Sequence, residues 1–300
     1  MRKLLILLML SSLSLVAQNK SGITGKPDTS FANYSAWQNL LKEDPTVRLA
    51  KVQSSKSEEQ SSKIKVQSSV YKVLGKRKLA IDEYVISASF KLPTLVFFHG
   101  GGWRTGHRSQ HIPLAKALVN RGYRVFLVEY RLSTEALYPA AMLDAQAALQ
   151  WVSKRKNVGE IYVAGYSAGG QMAALLGSVQ DENTYGKGVK LAGVIDVDGI
   201  LAFIHPESGE GDDSKRTSAA THYFGYNKVA GEAIWKEASA LSHVTKGDPP
   251  VLFLNSEDDR MHAGRDDFMR KMASLGIHTE YHTFEKSHHT FVLMNHWFNQ

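Results

Sequence analysis

A serine flanked by glycines, Gly165-Tyr166-Ser167-Ala168-Gly169, stands between the apolar run Ile161–Ala164 and the small-residue stretch AGGQMAALL. A strand that turns straight into a helix throws such a serine outward as a nucleophile, and the first amides of the helix point back at it. A second segment, HGGGW at His99–Trp103, follows the run TLVFF. Consecutive glycines let the backbone fold back and aim adjacent N–H groups into a cleft, where they can hold the negative oxygen of a tetrahedral intermediate. Gly101 and Gly102 are the expected donors there, with the amide of Ala168 completing the hole. A third segment, FEKSHHTFVLM, offers both His288 and His289 as a general base after the last core strand. The acid that orients the imidazole is expected in SEDDRMHAGRDD, where Glu257, Asp258, Asp259, Asp266 and Asp267 all stand. Nucleophile, base, acid and oxyanion donors together make the chemistry of acyl transfer. A phosphate-binding turn is the rival for the serine segment, but neither G-x-G-x-x-G nor a P-loop lysine is present.

Those segments need a scaffold that brings strand ends together, and the hydrophobic pattern supplies one. Lys63–Leu74 and Leu79–Ser87 alternate like an antiparallel pair joined near Gly75. Strands are then expected at Thr94–Phe98, Arg124–Glu129, Ile161–Ala164, Val189–Val197, Val251–Asn255 and Thr279–Phe284. Helices are expected at Ile112–Asn120, Ala140–Val152, Ala168–Val179 and near Gly264–Leu275. Apolar strands alternating with helices predict an α/β fold of three layers, a mostly parallel sheet covered on both faces. Ligands collect at the carboxyl ends of such strands, where each segment above falls. Residues 199–245 break the rhythm after the sixth core strand and read as an insertion over the site.

Composition narrows the class. The 300 residues are 43% hydrophobic and 22% charged, enough for one large core and too apolar for disorder. The net charge of +7 is scattered rather than gathered into a stripe, which argues against a nucleic-acid footprint. With no cysteine there is neither a disulfide framework nor a thiolate metal site. His99, His107 and His111 lack compact ligand spacing, so no metal and no organic cofactor is expected. Residues 1–17 combine Arg2 and Lys3, an apolar run and a terminal small residue, as an export signal does; the run is short for a membrane span. An exported protein of the bacterial periplasm or medium, without stable membrane association after signal removal, is the expectation. Residues 18–62 read as a polar leader with an aromatic patch at Tyr34 and Trp37, and residues 63–300 as the main domain. The pentapeptide KVQSS occurs twice, too little for a repeat architecture.

From about residue 64 onward the chain resembles the α/β-hydrolase superfamily. HGGGW, YRLSTEALYPAAMLDAQAALQWV and GYSAGG are similar to the hormone-sensitive-lipase-like and feruloyl-esterase-like branches. NSEDDRMHAGRDD and HTFEKSHHTFVLMNHWF resemble exported bacterial carbohydrate acetylesterases associated with xylan and pectin. The resemblance implies a Ser167–Asp259–His289 triad, because the superfamily's H-G-x-x-D loop aligns with N-S-E-D-D and the tail pattern selects His289. The narrower group need not carry its acid there, which keeps Asp266 and Asp198 open. It also implies a serine esterase acting on acylated carbohydrate, with a general short-chain carboxylesterase as alternative and a catalytically silent carbohydrate binder as the reading from another class. Trp103, His205, Glu207 and Trp297 are expected substrate contacts, by aromatic or polar character near strand ends.

Overall fold

The computed structural model describes residues 18–51, 63–86, 90–179 and 188–298. The export-signal reading of residues 1–17 lies outside them, as does most of the first KVQSS copy. Eight strands form one sheet in the order β1-β2-β4-β3-β5-β6-β7-β8. They are β1 (Lys65–Leu74), β2 (Arg77–Val85), β3 (Leu92–Phe98), β4 (Arg124–Val128), β5 (Val158–Tyr166), β6 (Leu191–Val197), β7 (Val251–Asn255) and β8 (Thr279–Thr283). β2 runs antiparallel to β1 and β4, while every other pairing is parallel.

Strand periodicity explains the three layers. In β3, Leu95 and Phe97 face one apolar cluster and Val96 and Phe98 the other, so both faces must be covered. One cover holds α3 (Ala140–Ser153), α4 (Ala168–Ser178) and α7 (Arg265–Ser274); the other holds α1 (Asn33–Leu40), α2 (Ile112–Asn120) and α8 (Asn295–Phe298). α4 is buried along its whole length, which its small and apolar residues allow.

Two segments do more than the sequence pattern announces. Residues 18–51, read as a polar leader, pack on the domain, because Ala36, Leu40 and Val47 bury beside Leu293, Met294 and Trp297. The Trp37 indole donates to Val47 O at 2.9 Å. The insertion after β6 carries α5 (Ala219–Phe224) and α6 (Glu232–Glu237). Its Phe203, Tyr223, Phe224 and Trp235 are buried in the main core, so it continues that core over the carboxyl ends of the strands.

Candidate active site

β5 delivers Ser167 at a turn that only small neighbours permit. Its backbone stands at φ 57° and ψ −120°, the strained corner that links a strand to a helix with no intervening loop. A Cβ on Gly165 would lie 2.0 Å from Gly169 O, and one on Gly169 2.1 Å from Phe98 O. The Ser167 amide is spent on Val197 O at 2.8 Å, which ties the elbow to the end of β6.

Beside it runs the glycine loop. Gly100 presses on the elbow so closely that a Cβ there would sit 3.0 Å from Ser167 Cβ. Gly101 and Gly102 adopt φ 119° and 58°. Gly101 O closes the turn by accepting from Arg104 N and Thr105 N at 3.1 and 3.0 Å. Among the described residues, the amides of Gly101, Gly102 and Ala168 reach no backbone acceptor, the last because it opens α4.

His289 faces the serine: its Nε2 lies 2.9 Å from Ser167 Oγ. The ring stacks on Tyr166 with centroids 5.1 Å apart, and the Tyr166 hydroxyl donates to His289 O at 2.9 Å. His288, the other candidate base, turns away and lies 3.6 Å from Glu43.

The acid on His289 is Asp198, not Asp259. Asp198 Oδ2 lies 3.0 Å from His289 Nδ1 and accepts from Ser256 Oγ at 2.6 Å. Its Oδ1 accepts from Ser256 N at 2.7 Å and from Asn255 Nδ2 at 3.4 Å. The Asp259 side chain is 99% exposed and its nearest charged partner is His262 at 3.8 Å, whereas Asp198 is 0% exposed. The physical reason is register: β6 and β7 are neighbours, so either strand end can reach the imidazole. Asp198 takes a left-handed φ of 52° directly after β6, and the β7 loop supplies donors, Asn255 and Ser256, in place of an acid. Asp266 is solvent-facing and paired with Arg265. With Asp198 accepting at Nδ1, that nitrogen carries the proton and Nε2 accepts from the serine hydroxyl.

Asp196, two residues earlier, is also buried. Burial pushes its carboxyl well above the usual carboxylate range, with the Asp198 charge adding to the effect and a Gly199 N–H opposing it. The sequence carried one signal for Asp198 itself, an aspartate before glycine at the end of an apolar strand.

Two of the expected substrate contacts are internal. Trp103 is 3% exposed, stacks on Tyr223 and donates to Gln171 Oε1 at 2.9 Å, fastening the glycine loop to α4. Trp297 is 5% exposed and donates to Glu285 O at 3.0 Å, bracing the segment that carries His289. Large aromatics near strand ends serve the core here, because each ring is buried and each indole N–H finds an acceptor within the protein. His205 and Glu207 join the insertion to α7: His205 lies 3.3 Å from Asp267, and Glu207 accepts from Gly264 N at 3.1 Å. Among the described residues no group of three potential metal ligands converges, and no helix is long and apolar enough to cross a membrane.

Known proteins similar to this chain are numerous. The chain is 42% identical over 91 residues to carboxylesterase NlhH of Mycobacterium tuberculosis, a stretch that spans only 28% of either protein. Among solved structures, a variant of the esterase rPPE matches with a TM-score of 0.64 at 24% identity, covering 91% of this chain and 86% of its own. A truncated carbohydrate esterase from gut microbiota matches with a TM-score of 0.60 at 16% identity, covering 75% of this chain and 89% of its own. These likenesses show the α/β-hydrolase fold. The glycine loop, the Ser167 elbow and the Asp198 turn all fall inside residues 82–264, the part that matches the BD-FAE family model, and since that is more than half of its length the chain belongs to the BD-FAE family.

Proposed function

We propose that the protein is a serine esterase that removes acetyl or similarly small acyl groups from plant-type polysaccharides or their oligosaccharides. The observation that carries the chemistry is the unbroken relay from Ser167 Oγ through His289 to Asp198. His289 Nε2 takes the serine proton as Oγ attacks the ester carbonyl, and Asp198 stabilises the imidazolium that forms. The amides of Gly101, Gly102 and Ala168 receive the oxyanion; one such donor is typically worth about 3 kcal/mol of barrier. His289 returns the proton to the departing alcohol, and water then cleaves the acyl-enzyme by the same steps in reverse. No step calls for a metal or an organic cofactor.

The likeness to a carbohydrate esterase and the xylan- and pectin-type motifs support a sugar ester as substrate. The 42% identity with a carboxylesterase over 91 residues supports a second reading, a general short-chain carboxylesterase. The basic and apolar start of the chain supports export. Acetate release, followed by chromatography, from acetylated xylan, acetylated pectin and p-nitrophenyl acetate separates the two substrate readings. Release from a polysaccharide is the expected result; turnover of the aryl ester alone would select the general carboxylesterase.

A further inference from the structure

Ser167 is not the only residue of the elbow that reaches His289. Tyr166, the last residue of β5, is 2% exposed, and its ring packs on three neighbours at once. The His289 ring stacks on it with the two planes 29° apart. His111 meets it edge-on with centroids 5.6 Å apart. Gly100 of the glycine loop passes so close that a Cβ there would stand 2.7 Å from Tyr166 Cδ1. A buried tyrosine needs a partner for its hydroxyl. Tyr166 finds one 123 residues along the chain, the main-chain oxygen of His289 at 2.9 Å.

That carbonyl has little else to hold it. His289 stands between β8, which ends at Thr283, and a 3-10 turn that begins at Phe291, so no regular ladder fixes its backbone. Among the described residues no backbone N–H reaches His289 O. The Trp297 indole braces the chain further upstream, at Glu285. Asp198 holds Nδ1 of the ring, yet a single hydrogen bond leaves an imidazole free to swing about it. The phenol pins the main chain that carries the ring, and the stacked face limits the ring's tilt.

Burial pushes the Tyr166 phenol well above its usual range, with the Asp198 charge adding to the effect, so the hydroxyl keeps its proton and remains a donor. Nucleophile and base therefore hang from adjacent residues of one strand end: Ser167 directly, His289 through the Tyr166 hydroxyl. The spacing between them matters steeply, since a displacement of about 1 Å between reacting groups costs on the order of a hundredfold in rate.

We infer, resting on the esterase reading above, that Tyr166 is a positioning residue: its hydroxyl acts through the main-chain oxygen of His289 to set the imidazole against Ser167 Oγ. Tyr166→Phe tests this, because it keeps the ring against His289, His111 and Gly100 and removes only the donor. On p-nitrophenyl acetate its kcat should fall at least about tenfold while KM stays within about twofold. Proton NMR of the free protein gives a second readout, the far-downfield N–H resonance of the proton between His289 and Asp198. That resonance should be sharp in the wild type and broadened or lost in Tyr166→Phe. A third protein carries 4-aminophenylalanine at position 166, which returns an N–H donor to the ring, and it should recover most of the lost kcat together with the resonance. Unchanged kcat in Tyr166→Phe, a loss confined to KM, or a loss that the amino group does not reverse would each overturn the positioning role while leaving the esterase standing. A wild type that hydrolyses no ester would overturn the esterase reading instead. The resonance still decides the placement of the imidazole in that case, and a sharp signal in Tyr166→Phe would show that the hydroxyl does not set it.

Discussion

Ser167 and Asp198 share a feature that neither shares with ordinary strand-end residues: both hold a left-handed backbone without being glycine. Such positions cost about 1–3 kcal/mol each and persist where the surroundings over-determine them. Here the surroundings are the hydrogen bond from Ser167 N to Val197 O and that from Asp198 N to Leu254 O, at 2.8 and 3.0 Å. Ser167→Ala should therefore keep the thermal unfolding midpoint within a few degrees while p-nitrophenyl acetate hydrolysis drops at least about a thousandfold. The acid assignment makes a sharper forecast. Asp198→Asn leaves the shape but presents the wrong tautomer to His289, so kcat should fall by about a thousandfold or more, whereas Asp259→Asn should stay within about twofold. A crippled Asp259→Asn with an active Asp198→Asn would reverse the assignment. The serine was legible because the elbow imposes a local pattern of small residues, and the histidine because its tail motif has fixed neighbours. The acid was not. Its position depends on which of two adjacent strand ends reaches the imidazole, a question of side-chain direction that no local spacing encodes.

At the scale of elements, the strands and helices of the sheet declare themselves through alternation and apolar runs, while the insertion shows in the sequence only as a break in that rhythm and neither it nor the N-terminal segment shows how it packs. The polar residues of the insertion mask the buried Phe203, Phe224 and Trp235, which are scattered without a period. Residues 19–31 hide their role for another reason: several of their ties to the domain are made by backbone groups. Asn19 N donates to Gly225 O at 2.6 Å, Thr24 N to Thr134 O at 2.9 Å, and Phe31 N to Thr105 Oγ1 at 3.1 Å, while Gly106 N donates to Asp28 O at 3.1 Å. Residues 18–33 thus cross from the insertion to the glycine loop and tie one to the other. Deleting residues 18–31 should lower kcat at least about tenfold with a smaller change in KM, since the oxyanion donors lose their brace while the relay stays whole. An unchanged kcat in steady-state assays of that variant would show that the loop holds its shape unaided. The elbow itself tolerates less. Gly169→Ala places a methyl against Phe98 O, a backbone atom that cannot step aside, and should cost about 3 kcal/mol or more in urea unfolding.

For the molecule as a whole, two buried histidines set the response to acid. His99 lies inside the glycine-loop region with Nδ1 2.8 Å from Gly100 O, and burial lowers its pKa to about 4. His111 packs against Phe97 and Tyr166, with Nε2 unpartnered, and burial lowers its pKa to about 3. Both regain a value near 6.5 on unfolding. Above that pH neither state carries these protons and the stability is fully present. As the pH falls below it the unfolded chain binds two protons that the folded chain refuses, and stability is lost until the pH passes through the folded values. The slope approaches about 2.7 kcal/mol per pH unit for the pair. Asp196 acts in the opposite sense, because its raised folded value lets the fold hold a proton that the unfolded chain releases above pH 4 or so. His107, His222 and His262 are lowered by burial too and Glu210 is raised, so five imidazoles against two carboxyls leave net destabilisation on acidification. Urea titrations at pH 7, 6 and 5 should show it, and His111→Phe, which keeps a ring against Phe97 and Tyr166, should reduce the slope by about 1.4 kcal/mol per pH unit. Identical slopes in the two proteins would remove His111 from the account, and stability that rises toward pH 5 would hand control to Asp196.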